Sequence, residues 1–510
     1  MRFLQVLTVV AILVCAGCNT RPVLFKQISS GNSGIDFNNR IVESDTMNPL
    51  DVVNIYNGGG VGVGDFNNDG LQDIYFTGNQ VECRLYLNRG KLKFEDITKQ
   101  AGVEGLNRWA RGAAIVDINN DGLADIYVCT AIKKDSLQRR NILYVNQGAD
   151  KNGIPRFVDM ASDYGLEMYA QSTMANFFDY DNDGDIDLYL TINNANSLKN
   201  PSVFHQDNGP GNASIGKLFR NDWDSSKNHA FYTDVSQQAN VNLAGYGHAA
   251  TICDINLDGW KDIYVSNDFL SGNILYINNR NGTFTDLSKE YFKHTSFNAM
   301  GQDVIDINND GLSDVFELDM SPQDNYRRKM MLNANSYVTF QNFTIYGYQY
   351  QYVRNTLQLN RGPRLLENDS VGPPVFSEIS FMSGVAQTDW SWTPLINDFD
   401  NDSYRDIIVT NGFPKDVTDH DFIAYREKST ARISTMEILE KIPEIKLHNY
   451  AFRNRDGIIF NDVSAEWGLS TPTFSNGAAY ADLDNDGDLD MIVNNINDEA
   501  SLYENTLRNH

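Results

Sequence analysis

The sequence predicts an all-β fold, a seven-bladed β-propeller, on three observations. A nine-residue acidic loop recurs seven times, strand-like flanks recur with it, and the two chain ends complement each other. The loops begin at Asp65, Asp117, Asp179, Asp254, Asp306, Asp398 and Asp482. Each carries oxygen side chains at positions 1, 3, 5 and 9. These are Asp65, Asn67, Asp69 and Asp73, then Asp117, Asn119, Asp121 and Asp125, then Asp179, Asp181, Asp183 and Asp187. Asp254, Asn256, Asp258 and Asp262 follow, then Asp306, Asn308, Asp310 and Asp314. Asp398, Asp400, Asp402 and Asp406, and finally Asp482, Asp484, Asp486 and Asp490, complete the set. A hard cation takes six to eight oxygens, and alternate residues of a tight loop point inward, so this is the spacing of a calcium loop. Glycine at position 6 lets the backbone reverse through positive φ.

The loops differ in ways that carry expectations. Position 3 is asparagine in four of them and aspartate in the three that begin at Asp179, Asp398 and Asp482. Ser403 stands at position 6 of its loop, where a side chain must tolerate the left-handed turn, so this site is expected to be the weakest or distorted. Asp185 and Asp488 occupy position 7, where only the carbonyl ligates, and their side chains are expected to be solvated. Six or seven structural Ca²⁺ are expected. Without them the clustered carboxylates repel one another.

The flanks supply the strands. A run of small and β-branched residues precedes each loop, as in Gly60–Gly64 and Ala113–Val116. An apolar strand follows it, such as Ile74-Tyr75-Phe76 or Ile263-Tyr264-Val265. A third strand reads Leu85-Tyr86-Leu87-Asn88 and recurs ending at Asn146, Asn221 and Asn278. A fourth begins at Phe94, Phe157, Phe231, Phe284 and Phe460, after turns such as Asn88-Arg89-Gly90. Four short antiparallel strands per repeat make a propeller blade. The seventh repeat stops after Leu502-Tyr503-Glu504-Asn505, and Phe25–Ser29 carries the missing fourth-strand pattern. The N-terminal strand is therefore expected to close the ring and protect the open edges. The propeller spans residues 24–506, with 507–510 a tail.

These loops and flanks resemble the FG-GAP/VCBS-repeat propellers, the group that includes integrin α-subunit heads and the cartilage acidic protein family. The resemblance is nearest to propellers of Bacteroidota-type lipoproteins. It implies calcium binding and a propeller, and a biochemical role only loosely. Many relatives continue into a C-terminal ASPIC/UnbV domain at the point where this sequence stops, so activity residing there is not expected.

The N-terminus assigns a compartment. Phe3–Ala16 is an apolar run, shorter than the ~20 residues of a membrane span, and Gly17-Cys18 follows it. Residues 1–17 read as a lipoprotein signal peptide. Cys18 becomes the lipidated first residue, and 18–23 a linker to an outer membrane or cell surface. Cys15 stands where the lipobox pattern has leucine. Cys83, Cys129 and Cys253 are odd in number and imply no disulfide framework, and the strand residues Cys129 and Cys253 read as small buried hydrophobes. A net charge of −26 disfavours nucleic acid and anionic lipid surfaces.

Three insertions, about residues 193–216, 319–355 and 411–448, fall between second and third strands. The calcium loops join first to second strands, so the insertions gather on the opposite face. The last contains Ile423–Leu439, at near-helical spacing, and reads as a helix ended at Pro443. Trp109, Arg111, Trp390 and Trp392, in fourth-to-first connections, join that face as the candidate ligand surface for a protein or glycan. The bland alternative is that these aromatics pack the insertions onto the propeller. His248 either lines the channel or is a buried structural histidine.

No catalytic residues are assigned. The seven histidines form no His-Glu-x-x-His motif, and no nucleophile elbow is present. The glycine run 58–64 leads into a calcium loop and not into a helix, which rejects a nucleotide site. The expected function is a lipid-anchored, calcium-binding scaffold or binding propeller without enzymatic activity. The alternative is a polysaccharide-lyase-like enzyme or an accessory subunit of a glycan-uptake system, with Arg327-Arg328-Lys329 as its basic cluster.

Replacing Cys18 with Ala should abolish lipid attachment and release the protein in soluble form or leave it unprocessed. Metabolic labelling with a clickable fatty acid reads this directly, and equal labelling of the variant refutes the assignment.

Overall fold

The computed structural model describes residues 23–195, 212–227, 229–331, 336–366, 370–429 and 433–507. Seven four-stranded antiparallel sheets form the blades of a propeller. Blade one comprises Val61–Gly64, Asp73–Phe76, Arg84–Asn88 and Phe94–Asp96. Blades two to six repeat this order from first strands Ala110–Val116, Ser172–Phe178, Gly247–Cys253, Gln302–Ile305 and Ser391–Asn397. The second strands are buried along their whole length, as in Asp73–Phe76 and Asp125–Thr130, which is why their sequences are nearly unbroken apolar runs. Apolar residues of adjacent blades merge between the sheets: Tyr75, Leu85 and Leu87 pack with Ile126, Val128 and Tyr144.

The first strands crowd the central channel, and their small residues permit it. A Cβ added to Gly301 would lie 2.1 Å from the Trp392 carbonyl oxygen, and one added to Gly477 would lie 2.4 Å from that of Gly59. Backbone therefore meets backbone around the axis at positions where only glycine fits.

Blade seven closes as the sequence predicts. Ser475–Ala481, Asp490–Asn495 and Ser501–Asn505 take Phe25–Ile28 as their fourth strand, paired antiparallel from Phe25 with Asn505 to Ile28 with Leu502. Thr506 N donates to Leu24 O at 2.8 Å, and Phe25 is fully buried against Phe399 and Trp467. Residues 1–22, with Cys18, and 508–510 lie outside the described residues, as do 196–211 of the first insertion.

Two elements differ from the expectation. The helix expected over Ile423–Leu439 is two helices, His420–Lys428 and Thr435–Leu439. Ser434 starts the second with a capping box to Glu437, so the chain restarts instead of running through. The aromatic insertion of blade five holds the helix Tyr337–Tyr346, which its aromatic composition did not announce. The connection from blade seven to blade one is also long. Its Ile41, Ile55 and Tyr56 are buried over the channel mouth.

Deleting residues 24–29 should strip blade seven of its outer strand and cause unfolding or aggregation. Phe25→Ala should destabilise by roughly 3 kcal/mol, the scale of a large-to-small core change. A deletion variant that stays monomeric and melts like the parent would contradict the closure.

Candidate functional site

Six of the seven loops share one hydrogen-bond pattern at position 1, and the loop at Asp179 keeps only the bond from the position-6 N–H. In blade one, Asp65 Oδ2 accepts from Gly70 N at 2.8 Å and Asp65 Oδ1 from Asp69 N at 3.1 Å. The position-9 carboxylate lies deeper. Asp73 Oδ2 accepts from Phe66 N at 3.0 Å and Oδ1 from Asn88 N at 2.8 Å. The pair recurs through blade seven, where Asp490 accepts from Leu483 N and Asn505 N. Burial, with loop carboxylates adding to it, pushes these position-9 carboxyls up, Asp125 to about 6, Asp73 to about 7 and Asp187 and Asp490 to about 8.

The loops with aspartate at position 3 present the clearest fit to a hard cation. Asp179, Asp181 and Asp187 bring carboxylate oxygens within 4.8 Å of one another, as do Asp398, Asp400 and Asp406, and Asp482, Asp484 and Asp490. Asp179 Oδ1, Asp181 Oδ1 and Asp400 Oδ1 are buried without a hydrogen-bond partner. Such oxygens are what a cation site presents. Where position 3 is asparagine, its amide takes up the position-5 carboxylate: Asn67 Nδ2 donates to Asp69 Oδ2 at 2.9 Å, and Asn119, Asn256 and Asn308 do the same.

Two loop details bear on the expectations, and the second corrects one of them. Ser403 adopts φ +76°, the left-handed turn, yet its N–H still donates to Asp398 Oδ2 at 2.7 Å, so this loop keeps the common hydrogen bonds. Asp488 is not solvated. It is 2% exposed and accepts from Asn401 Nδ2 of the neighbouring loop at 3.0 Å. Adjacent loops interlock through position 4, and Asn485 Nδ2 likewise reaches Gly70 O. Asp185 is half-buried, and burial pushes its carboxyl up to about 6.

The opposite face holds a cavity. Second-to-third connections (Phe269, Met331, Phe413) and fourth-to-first connections (Asn54, Phe297, Trp390) enclose about 400 Å³. Trp390 and Trp392 are 6% and 8% exposed, so they are walls of this cavity and not an outward-facing aromatic surface. Trp390 stacks on Phe413 with centroids 4.0 Å apart, and Trp392 Nε1 donates to Gly412 O at 2.9 Å. Trp109 is sealed in the same apolar cluster at 1% exposure. Arg111 lines the channel below, beside His248. His248 lies 3.4 Å from Asp268. Neither Asn54 nor Phe269 and Phe297 stood out in the sequence, where the length of the connection before blade one was the signal for Asn54, while Phe413 lay in the insertion 411–448 already placed on this face.

The basic cluster is dispersed. Arg327 forms a bidentate pair with Asp389 at 2.9 and 3.1 Å and reaches Asp416 at 2.7 Å, while Arg328 donates to Gln387. The Arg327 charge is thus committed to holding the blade-five insertion against blade six. Cys83, Cys129 and Cys253 are all buried thiols.

A family model described as an FG-GAP-like repeat matches residues 65–128 and 254–316. Cartilage acidic protein 1 of Xenopus tropicalis is 26% identical over 218 residues, which is 42% of this chain and 29% of that protein. The human protein of the same name is 29% identical over 140 residues, 27% of this chain and 20% of that one. The matched region thus spans less than a third of either relative. Among solved structures, an Agrocybe aegerita lectin that recognises non-reducing terminal N-acetylglucosamine overlaps with a TM-score of 0.39 at 13% identity, over 81% of this chain and 84% of that one. The V. cholerae biofilm matrix protein Bap1 overlaps with a TM-score of 0.41 at 11% identity, over 95% and 91%.

The raised position-9 carboxyls set a pH dependence. Their folded values lie above the unfolded value of about 4, so the folded state holds protons that the unfolded state has released. Their contribution to stability is complete below about pH 4 and is lost as pH rises through the 6–8 range. Metal-free protein should therefore melt lower at pH 8 than at pH 5.5, and Ca²⁺ added at pH 8 should reverse the loss. A melting temperature indifferent to both pH and calcium would contradict this.

Proposed function

We propose that this FG-GAP β-propeller is a calcium-stabilised binding module that holds its ligand at the mouth of the central channel and does no chemistry on it. The cavity of about 400 Å³ carries the reading: it is concave, mostly apolar, and edged by Asn54, Asn57, Asn298 and Thr418. Long loops on a rigid scaffold are where binding sites concentrate. Beside it the helix Tyr337–Tyr346 exposes Tyr337, Val338, Ile345 and Tyr346, an apolar margin suited to a protein or glycan partner.

Calcium belongs to the other face. The side chains at positions 1, 3, 5 and 9 would hold it, most completely Asp179, Asp181, Asp183 and Asp187 and their counterparts in blades six and seven. Bound there, it supplies the positive charge that lets the clustered carboxylates stay ionised inside the fold. Six or seven ions, one per loop, remain the expected complement. Lipid on Cys18 would tether the module to the outer membrane or cell surface, with this face free to meet its partner.

Val53 and Thr339 stand at the cavity mouth. Leu257 is 56% exposed on the calcium face, at a loop position otherwise often asparagine. A glycan array and a pull-down from outer-membrane extract should find a ligand whose affinity falls by about tenfold or more, 1.4 kcal/mol, in Val53→Arg and Thr339→Trp. Leu257→Asn should bind like the parent, and all three should melt like it. The reverse ranking would place the site on the calcium face.

A further inference from the structure

Among the described residues, Arg111 is a cation buried without a counter-charge. It sits in the first strand of blade two, within a bulge where the ladder shifts between Ala110 and Ala113. The residue is 6% exposed, and among the described residues its guanidinium forms no ion pair or hydrogen bond with protein. Burial pulls it down to about 10, and the titratable neighbour acting on it is the buried thiol of Cys129. A desolvated cation left alone is costly, and a partner that neutralises it gains much of that cost back.

The space it faces has the right construction for such a partner. Arg111 lines a channel cavity of about 240 Å³ together with Gly58, Gly59, Thr173, His248 and Asn476. His248 does not compete for an anion, because Asp268 already faces its Nε2 at 3.4 Å and Asn57 its Nδ1 at 3.4 Å. Asn57, Met300 and Trp392 line both this cavity and the apolar one above it, so the two are neighbours sharing a wall of the channel mouth. In the upper cavity Trp390 Nε1 is a buried donor that also lacks a partner.

We propose that the ligand is a small amphipathic carboxylate, with its apolar body among Trp390, Trp392 and Phe413 and its carboxylate on Arg111. This rests on the cavity reading above and names the chemistry it selects. A single guanidinium presents a planar fork that matches a carboxylate in two parallel hydrogen bonds. A phosphate dianion would ask for a second free cation, which His248 beside Asp268 does not supply, in a protein of net charge −26. The carboxylate can belong to a free acid or to the C-terminus of a peptide, since the recognising chemistry is the same.

The test uses 3-phenylpropionate and its neutral amide, titrated calorimetrically into calcium-loaded wild-type protein and Arg111→Gln. The acid should bind the wild type at least about tenfold more tightly than the amide, the scale of a charge-assisted pair. In Arg111→Gln that preference should vanish while the amide keeps its affinity. Equal binding of acid and amide by the wild type overturns the inference, and the cavity reading survives if Thr339→Trp abolishes both. Binding of neither probe overturns the inference and leaves the cavity reading to the comparison of Val53→Arg and Thr339→Trp with Leu257→Asn. A second variant needs no ligand: Arg111→Met removes an uncompensated charge and should raise the melting temperature of the ligand-free protein. A lower melting temperature would show that the guanidinium is already satisfied within the fold, which also overturns the inference.

Discussion

Each blade turns on one buried carboxylate, the aspartate at loop position 9. Asp73, Asp125, Asp187, Asp262, Asp314, Asp406 and Asp490 each accept one N–H from within the loop and one from an asparagine of the third strand. That asparagine then reaches sideways. Asn88 Nδ2 donates to Leu483 O at 2.7 Å, Asn146 to Phe66 O at 2.9 Å, and Asn505 to Phe399 O at 2.9 Å. Loop, hairpin and neighbouring blade are thus one hydrogen-bonded circuit. Charge-assisted acceptors in a low-dielectric interior are strong when satisfied and costly when not. Whatever sets the charge of this carboxylate therefore acts on the whole ring.

The circuit divides the labour of the two faces. On the loop side most polar groups are engaged by their own loop or the next, as Asp488 with Asn401 shows, and unpartnered oxygens such as Asp179 Oδ1 and Asp400 Oδ1 belong to the candidate cation sites, which leaves little to vary for recognition. On the other side the connections are long and irregular, and they are held by tertiary contacts of their own. Arg327 joins the blade-five insertion to Asp389 at the entry of blade six and to Asp416 of the next insertion. A buried ion pair of this kind is weak evidence for net stability, but its loss would leave charges stranded, so it fixes where the insertion sits. The walls of the cavity are fixed with it.

What could be read in the sequence is what repeats. The loop spacing, the strand flanks and the complementary ends are periodic, and period is local information; the ring, its closure by Phe25–Ile28 and the candidate ligand sets followed from it. The cavity is not periodic. Asn54, Phe269, Phe297, Trp390 and Phe413 come from five connections and meet only once the ring is closed. Trp390 and Trp392 were visible as aromatics on the correct face, but nothing local told wall from surface. Asp488 was misread for the same reason: its partner lies in another repeat. The break at Ser434 was local and legible, since Ser434 and Glu437 form a capping box, yet the apolar spacing through Leu439 masked it.

The axis of the ring shows how such a scaffold can hold a residue in a place it would not choose. Thr77 Oγ1 and Gly60 N both donate to the Arg111 carbonyl oxygen, tying this backbone to blade one. On the other side, a Cβ at Gly112 would lie 2.6 Å from the Thr173 carbonyl oxygen of blade three. The chain at Arg111 is therefore clamped between two neighbours and cannot shift outward to carry the guanidinium to bulk water. Ring closure, set by carboxylates on the far face, forces a positive charge into a small cavity on the axis. A free loop would relax away from that arrangement. A closed propeller cannot, and the desolvation it imposes on Arg111 is available to any anion that reaches the channel.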